Sequence, residues 1–133
     1  MNDELFNRGL ATRKEVLGTT YVEESLSRAN AFTLPLQEFA TQYCWGDIWN
    51  RSGLERRTRS LLTLAFLTAL NRPHELRLHV LGALNNAVTQ DEIREVFMQA
   101  AIYCGLPAAV DGFQVAQEVF EELGATPPRK TND

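Results

Sequence analysis

The sequence predicts an all-α protein, a bundle of six or seven helices. Strand-type alternation is nearly absent, while apolar residues recur at three- and four-residue spacing along most of the chain. Helix start and stop signals follow one another at short intervals. The length of 133 residues, 44% hydrophobic and 23% charged, fits one domain with a buried core. One helical domain is expected over residues 1–124. The polar, proline-containing tail 125–133 is expected to be mobile.

The first helix is expected from Asp3 to Leu17, with Gly18 as its stop. Thr20 and Glu23 are spaced as a capping box and are expected to start a short second helix. Thr33 precedes a helix with Pro35 in its first turn, carrying Leu36, Phe39, Ala40 and Tyr43 as one apolar stripe. A loop at residues 50–53 leads into a helix from Leu54 to Leu70. Its second half, LLTLAFLTAL, is apolar almost all round. A small monomer cannot bury such a helix on every side, so a homo-oligomer is expected. Pro73 opens the next helix. Thr89 and Glu92 form a second capping-box pattern before Ile93, Val96, Phe97, Ala100 and Ala101. Gly105 ends that helix. Pro107 begins the last, carrying Val110, Phe113, Val115, Val119, Phe120 and Leu123, and Gly124 stops it.

The net charge of −4 and pI near 5.2 argue against a general grip on nucleic acid. No apolar run reaches membrane-spanning length, so no membrane partner is expected. The acidic N-terminus shows no export signal, and a cytoplasmic location is expected. Cys44 and Cys104 carry no CxxC partner and no basic neighbour in sequence, and are expected to be buried, inert thiols.

The candidate chemistry centres on NRPHELRLHVLGALNN. At 100° per residue, Arg72, Glu75 and His79 share a stripe that borders the apolar stripe Leu76, Val80, Ala83, Leu84 and Val88. Glu75 and His79 are i,i+4 neighbours able to hydrogen-bond. A carboxylate beside an imidazole raises its pKa and orients it for acid–base work. The same pair also serves structure alone, and periodicity divides the two readings evenly. His74 lies on another side of the helix and is expected at a surface or interface. The two histidines lack the i,i+4 spacing and third ligand of a metal set, so no metal is expected.

Arg56, Arg57 and Arg59 begin a helix, where cations oppose the macrodipole. They fit either anion binding or ion pairing with Glu55 or another acid. Tyr43, Trp45 and Trp49 put three aromatics within seven residues. Tyr43 and Trp49 are read as lying away from Trp45 in helical angle, so some are expected to line a pocket or interface rather than share one core.

The segments RRTRSLLTLA, NRPHELRLH and AAIYCGLPAA resemble the carboxymuconolactone decarboxylase family, and the likeness extends from residue 8 to about residue 123. It departs where Ser52 replaces a usual proline and Ala87 a usual glycine. The resemblance implies the alkylhydroperoxidase D-like fold, assembled as a trimer or hexamer. Redox members of that wider group carry a Glu ahead of CxxCxxxH. Aligned on His79, those cysteine positions are Arg72 and Glu75, and the acid position is Ser60. Thiol peroxidase chemistry is therefore not expected.

The implied activity is decarboxylation of 4-carboxymuconolactone to 3-oxoadipate enol-lactone in aromatic catabolism, through the protocatechuate and β-ketoadipate route. This dicarboxylate lactone accepts the electrons of the lost carboxylate through its own conjugated carbonyl, so no cofactor is expected. The resemblance makes His79 the proton donor or oxyanion partner, oriented by Glu75. Arg72 takes a carboxylate or the lactone oxygen, Arg57 or Arg59 helps hold the dianion, and Trp45, Trp49 and Tyr43 wall the pocket. The alternative is a redox or interaction protein of the same fold without decarboxylase activity.

Overall fold

The computed structural model describes residues 1–130; the last three residues of the expected mobile tail lie outside them. Seven α-helices run in the order α1 Asp3–Leu17, α2 Thr19–Ser27, α3 Leu34–Phe39, α4 Arg56–Ala69, α5 Pro73–Asn85, α6 Gln90–Tyr103 and α7 Leu106–Glu122. Between α3 and α4 the chain winds as a π-helix, Ala40–Asp47, then as a 3₁₀ turn, Ile48–Asn50. Among the described residues no helix is long and apolar enough to cross a membrane.

Local chemistry explains most boundaries. Asn2 caps α1 by accepting from the Leu5 N–H, and Gly18 closes it at φ 95°. Thr89 and Glu92 form a complete capping box on α6. The expected box on α2 does not form, because the helix already begins at Thr19 and Glu23 turns instead to Lys14. Thr33 likewise gives no side-chain cap to α3; its hydroxyl engages Asn30.

Two apolar clusters flank α5. Leu64 of α4, Leu76, Val80 and Ala83 of α5, Val88, Ile93 and Phe97 around α6, and Ala116, Val119 and Phe120 of α7 form one. Val16, Leu17, Val22, Trp45 and Trp49 form the other, with Tyr21, Leu26 and Leu78 packed against it. Leu78 thus faces one cluster while Leu76 and Val80 face the other. The contact of α1 with the π-helical segment is close: a Cβ at Gly9 would sit 1.8 Å from the Thr41 carbonyl oxygen. Only glycine permits that approach.

Several apolar faces remain open. Leu36, Phe39, Leu62, Phe66 and Leu70 are exposed, as are Met98, Ile102, Tyr103, Leu106 and Val110. The over-hydrophobic α4 therefore leaves one side in water in the isolated chain. On α7 the buried positions are Ala109, Gly112, Ala116, Val119 and Phe120, while Val110 and Leu123 turn outward.

Candidate active site

The π-helical segment presents Trp45, and the 3₁₀ turn after it presents Trp49. Both indoles are 5% exposed and stack at 5.0 Å, which corrects the expectation that they point apart. The four-residue spacing keeps them on one side across the change of winding. Asn50 holds this turn, donating to the carbonyls of Trp45 and Gly46 at 2.8 and 3.1 Å and to Thr12 at 2.9 Å. Arg56 in turn donates to Asn50 at 3.2 Å.

His79 projects from α5 onto this pair. Its ring lies 6.0 Å from Trp45, with 3° between the planes, and 6.2 Å from Trp49. Its Nδ1 is buried without a hydrogen-bond partner. Burial pushes the His79 pKa down to about 4, against a smaller upward pull from Glu75. The imidazole is therefore neutral at pH 7. This corrects the expectation of a raised pKa: the Glu75 charge acts in the expected direction, but from an exposed carboxylate in high dielectric. Among the described residues Glu75 makes no hydrogen bond to His79.

The other expected site residues are dispersed. Arg72 is exposed and donates to the Leu70 carbonyl at 3.1 Å. Arg57 is ion-paired with Glu92 of α6, and Arg56 with Glu15 of α1; neither pairs with Glu55. Arg59 donates to the Arg51 carbonyl at 3.3 Å and keeps a buried, unpartnered Nε. Tyr43 is exposed and packs on Phe39, 5.1 Å away, rather than joining the indole stack. His74 is exposed, as expected.

The expectation of buried cysteines is overturned, since Cys44 and Cys104 are both exposed and free. Partial desolvation pushes the Cys44 thiol pKa up, against smaller opposing effects of Trp49 and Arg13. A thiol kept protonated is a weak nucleophile. Ser60, at the acid position of the redox relatives, is buried and accepts from Asn86 at 2.9 Å. Among the described residues no three metal-ligating side chains come together.

Arg13 escaped the sequence reading. It is 7% exposed, and its guanidinium donates to Gln37 at 2.9 Å and to Thr41 and Ser25 at 3.4 Å. The signal was its helical spacing with Gly9, Val16 and Leu17, which places it on the inward face of α1.

Comparison with known proteins agrees with this architecture. Residues 35–118 match the model of the carboxymuconolactone decarboxylase family. The chain is 44% identical over 134 residues to 4-carboxymuconolactone decarboxylase of Acinetobacter baylyi, covering all of both chains. It is 45% identical over 126 residues to nitrosuccinic acid decarboxylase of Metarhizium robertsii, covering 92% of this chain and 88% of that one. An uncharacterized 15.0 kDa protein of Paracoccus denitrificans is 40% identical over 81 residues, 59% of this chain and 60% of that protein. With the seven-helix bundle and full-length similarity in hand, the chain belongs to the carboxymuconolactone decarboxylase family, within the alkylhydroperoxidase D-like superfamily.

Proposed function

We propose that this protein decarboxylates 4-carboxymuconolactone to 3-oxoadipate enol-lactone without a cofactor. The observation that carries the reading is the neutral, desolvated His79 stacked on two indoles, its Nδ1 buried without a hydrogen-bond partner. The full-length similarity to a protein of that activity supports it.

Loss of CO2 from the lactone leaves an electron pair that delocalises onto the conjugated carbonyl. The protein must stabilise that oxyanion, hold the remaining carboxylate and deliver one proton. A neutral imidazole at pH 7 serves the oxyanion by donating its N–H in a low-dielectric setting, where such a bond is strongest. The indole faces offer the departing carboxylate an apolar surface, which favours the uncharged product. Glu75, one turn before His79, orients the ring when substrate is present. Arg72 holds the remaining carboxylate, helped by Arg59. Arg57 contributes less, because Glu92 already neutralises it. Tyr43 stands at the edge of this wall rather than within the stack.

The exposed apolar faces of α4, α6 and α7 support assembly as a homo-oligomer, a trimer or hexamer. Small-molecule turnover in the cytoplasm completes the reading.

The fungal relative favours a second substrate. Nitrosuccinic acid and the lactone are both carboxylic acids with an electron sink placed to accept the pair left by CO2. The same His79 environment suits either. The deciding experiment offers purified protein each acid in turn and follows the ultraviolet signal of the lactone and release of CO2 from both. Preferential turnover of the lactone supports the first reading. Preferential turnover of nitrosuccinate replaces it with the second, and turnover of neither removes both.

A further inference from the structure

Buried charges in proteins are ordinarily paired with an opposite charge. Arg13 is an exception, being buried with no carboxylate within ion-pair distance among the described residues. Its Nε is buried and unpartnered as well. Both Gln37 and Ser25, which accept from its guanidinium, line a cavity of about 300 Å³ between α2, the start of α3 and the start of α5. Tyr21, Arg28, Thr33 and His74 line it too.

The hydrogen-bond directions give this cavity a definite polarity. The Gln37 side-chain oxygen is occupied by Arg13 at 2.9 Å, which leaves the Nε2 amide hydrogens of Gln37 free. The Ser25 hydroxyl oxygen accepts from Arg13 at 3.4 Å, which leaves its O–H to donate elsewhere. Arg13 thus engages the oxygens of both side chains, leaves their N–H and O–H groups to donate, and puts an uncompensated positive charge directly behind them. Arg28 adds a second cation at the rim. The Glu24 carboxylate, also at the rim, is 3.8 Å from Arg28 and is the acid lining the cavity. Two arginines face one glutamate, and the Gln37 amide N–H groups and the Ser25 O–H are available donors at the wall.

We infer that this cavity binds a small carboxylate, seated on Gln37 Nε2, the Ser25 hydroxyl and Arg28, with Arg13 supplying the buried counter-charge. Neither His79 nor the indole stack lines it, so it is a site apart from the one proposed for decarboxylation. Its occupant complements Arg13 as an internal acid would. A carboxylate presents two coplanar oxygens to three donors; free phosphate, the other oxyanion source, carries more charge toward Glu24.

The test uses succinate and inorganic phosphate as probes, with NMR shift mapping and thermal melting of the full chain. Succinate is expected to perturb the amides of Ser25, Thr33 and Gln37 saturably and to raise the melting temperature, and to do so more strongly than phosphate at equal concentration. Gln37→Glu supplies the missing carboxylate internally. It is expected to raise the melting temperature without ligand and to weaken succinate binding at this cavity at least tenfold. Arg13→Met is expected to abolish the binding, but the Gln37→Glu variant decides the matter if Arg13→Met does not fold. Unchanged shifts at the cavity, succinate affinity intact in Gln37→Glu, or stronger binding of phosphate than of succinate would overturn the inference. Because the readout is binding mapped to residues, it stands or fails independently of lactone turnover and of shifts at Trp45 and His79.

Discussion

Acidification from pH 7 to pH 5 isolates the burial of His79. Its pKa in the folded protein is about 4, against 6.5 for a free imidazole. Between those values the unfolded chain binds a proton that the folded chain does not, so stability rises with pH across that window. The stabilisation is fully present above the unfolded value and is lost as pH falls toward 4. Two and a half units correspond to about 3 kcal/mol at the limit, of which about 2 kcal/mol is lost between pH 7 and pH 5. For a chain of this length that is a fall of about 7 °C in melting temperature. His79→Gln removes the titration and should flatten this part of the pH profile, whatever its stability at pH 7. His74→Gln controls for the second histidine. Urea or thermal melts at pH 7, 6 and 5, with an NMR titration of the His79 ring, check the argument. A ring that titrates near 6.5, or equal pH slopes in wild type and His79→Gln, would refute it.

Other predictions follow from neighbouring features. Arg72→Lys keeps the charge but loses the planar fork, and should raise KM for the lactone about tenfold with a smaller change in kcat; unchanged kinetics would remove Arg72 from the site. Ala87 has φ 65°, in the turn where the Val88 N–H returns to the Ala83 carbonyl at 2.9 Å. A Cβ is strained there, so Ala87→Gly should stabilise the fold by about 0.5–1 kcal/mol, read as a rise of a few degrees in a melt. A homo-oligomer predicts a mass of three or six times 15.0 kDa by light scattering. Phe66→Glu on the exposed face of α4 should lower that mass; a monomeric wild type would contradict the proposed assembly.

The helices were legible where their signals are local. Pro73, the Thr89–Glu92 box, Gly105 and Gly124 each act within one turn of the boundary they set. The Leu76, Val80 and Ala83 stripe likewise reports burial directly. The π-helical segment had no such local signal; it packs against α1 at the close approach of Gly9 to Thr41, a contact between residues distant in sequence. The pairing of Trp45 with Trp49 was missed for the same reason. Periodicity put Arg72, Glu75 and His79 on one stripe, yet the fold leaves the first two in water and places only His79 under the indoles. The depressed pKa was illegible because its main cause is burial, in a setting where the ring stacks on Trp45 and Trp49, thirty or more residues away in sequence.

The central claim is that a neutral His79 on the indole stack supports decarboxylation. Its most direct test is kcat for the lactone at pH 7, measured without added cofactor for wild type and for His79→Ala of verified fold. The account predicts turnover by the wild type and a loss of about 100-fold or more in the variant. A His79→Ala enzyme that decarboxylates the lactone at the wild-type rate would contradict it.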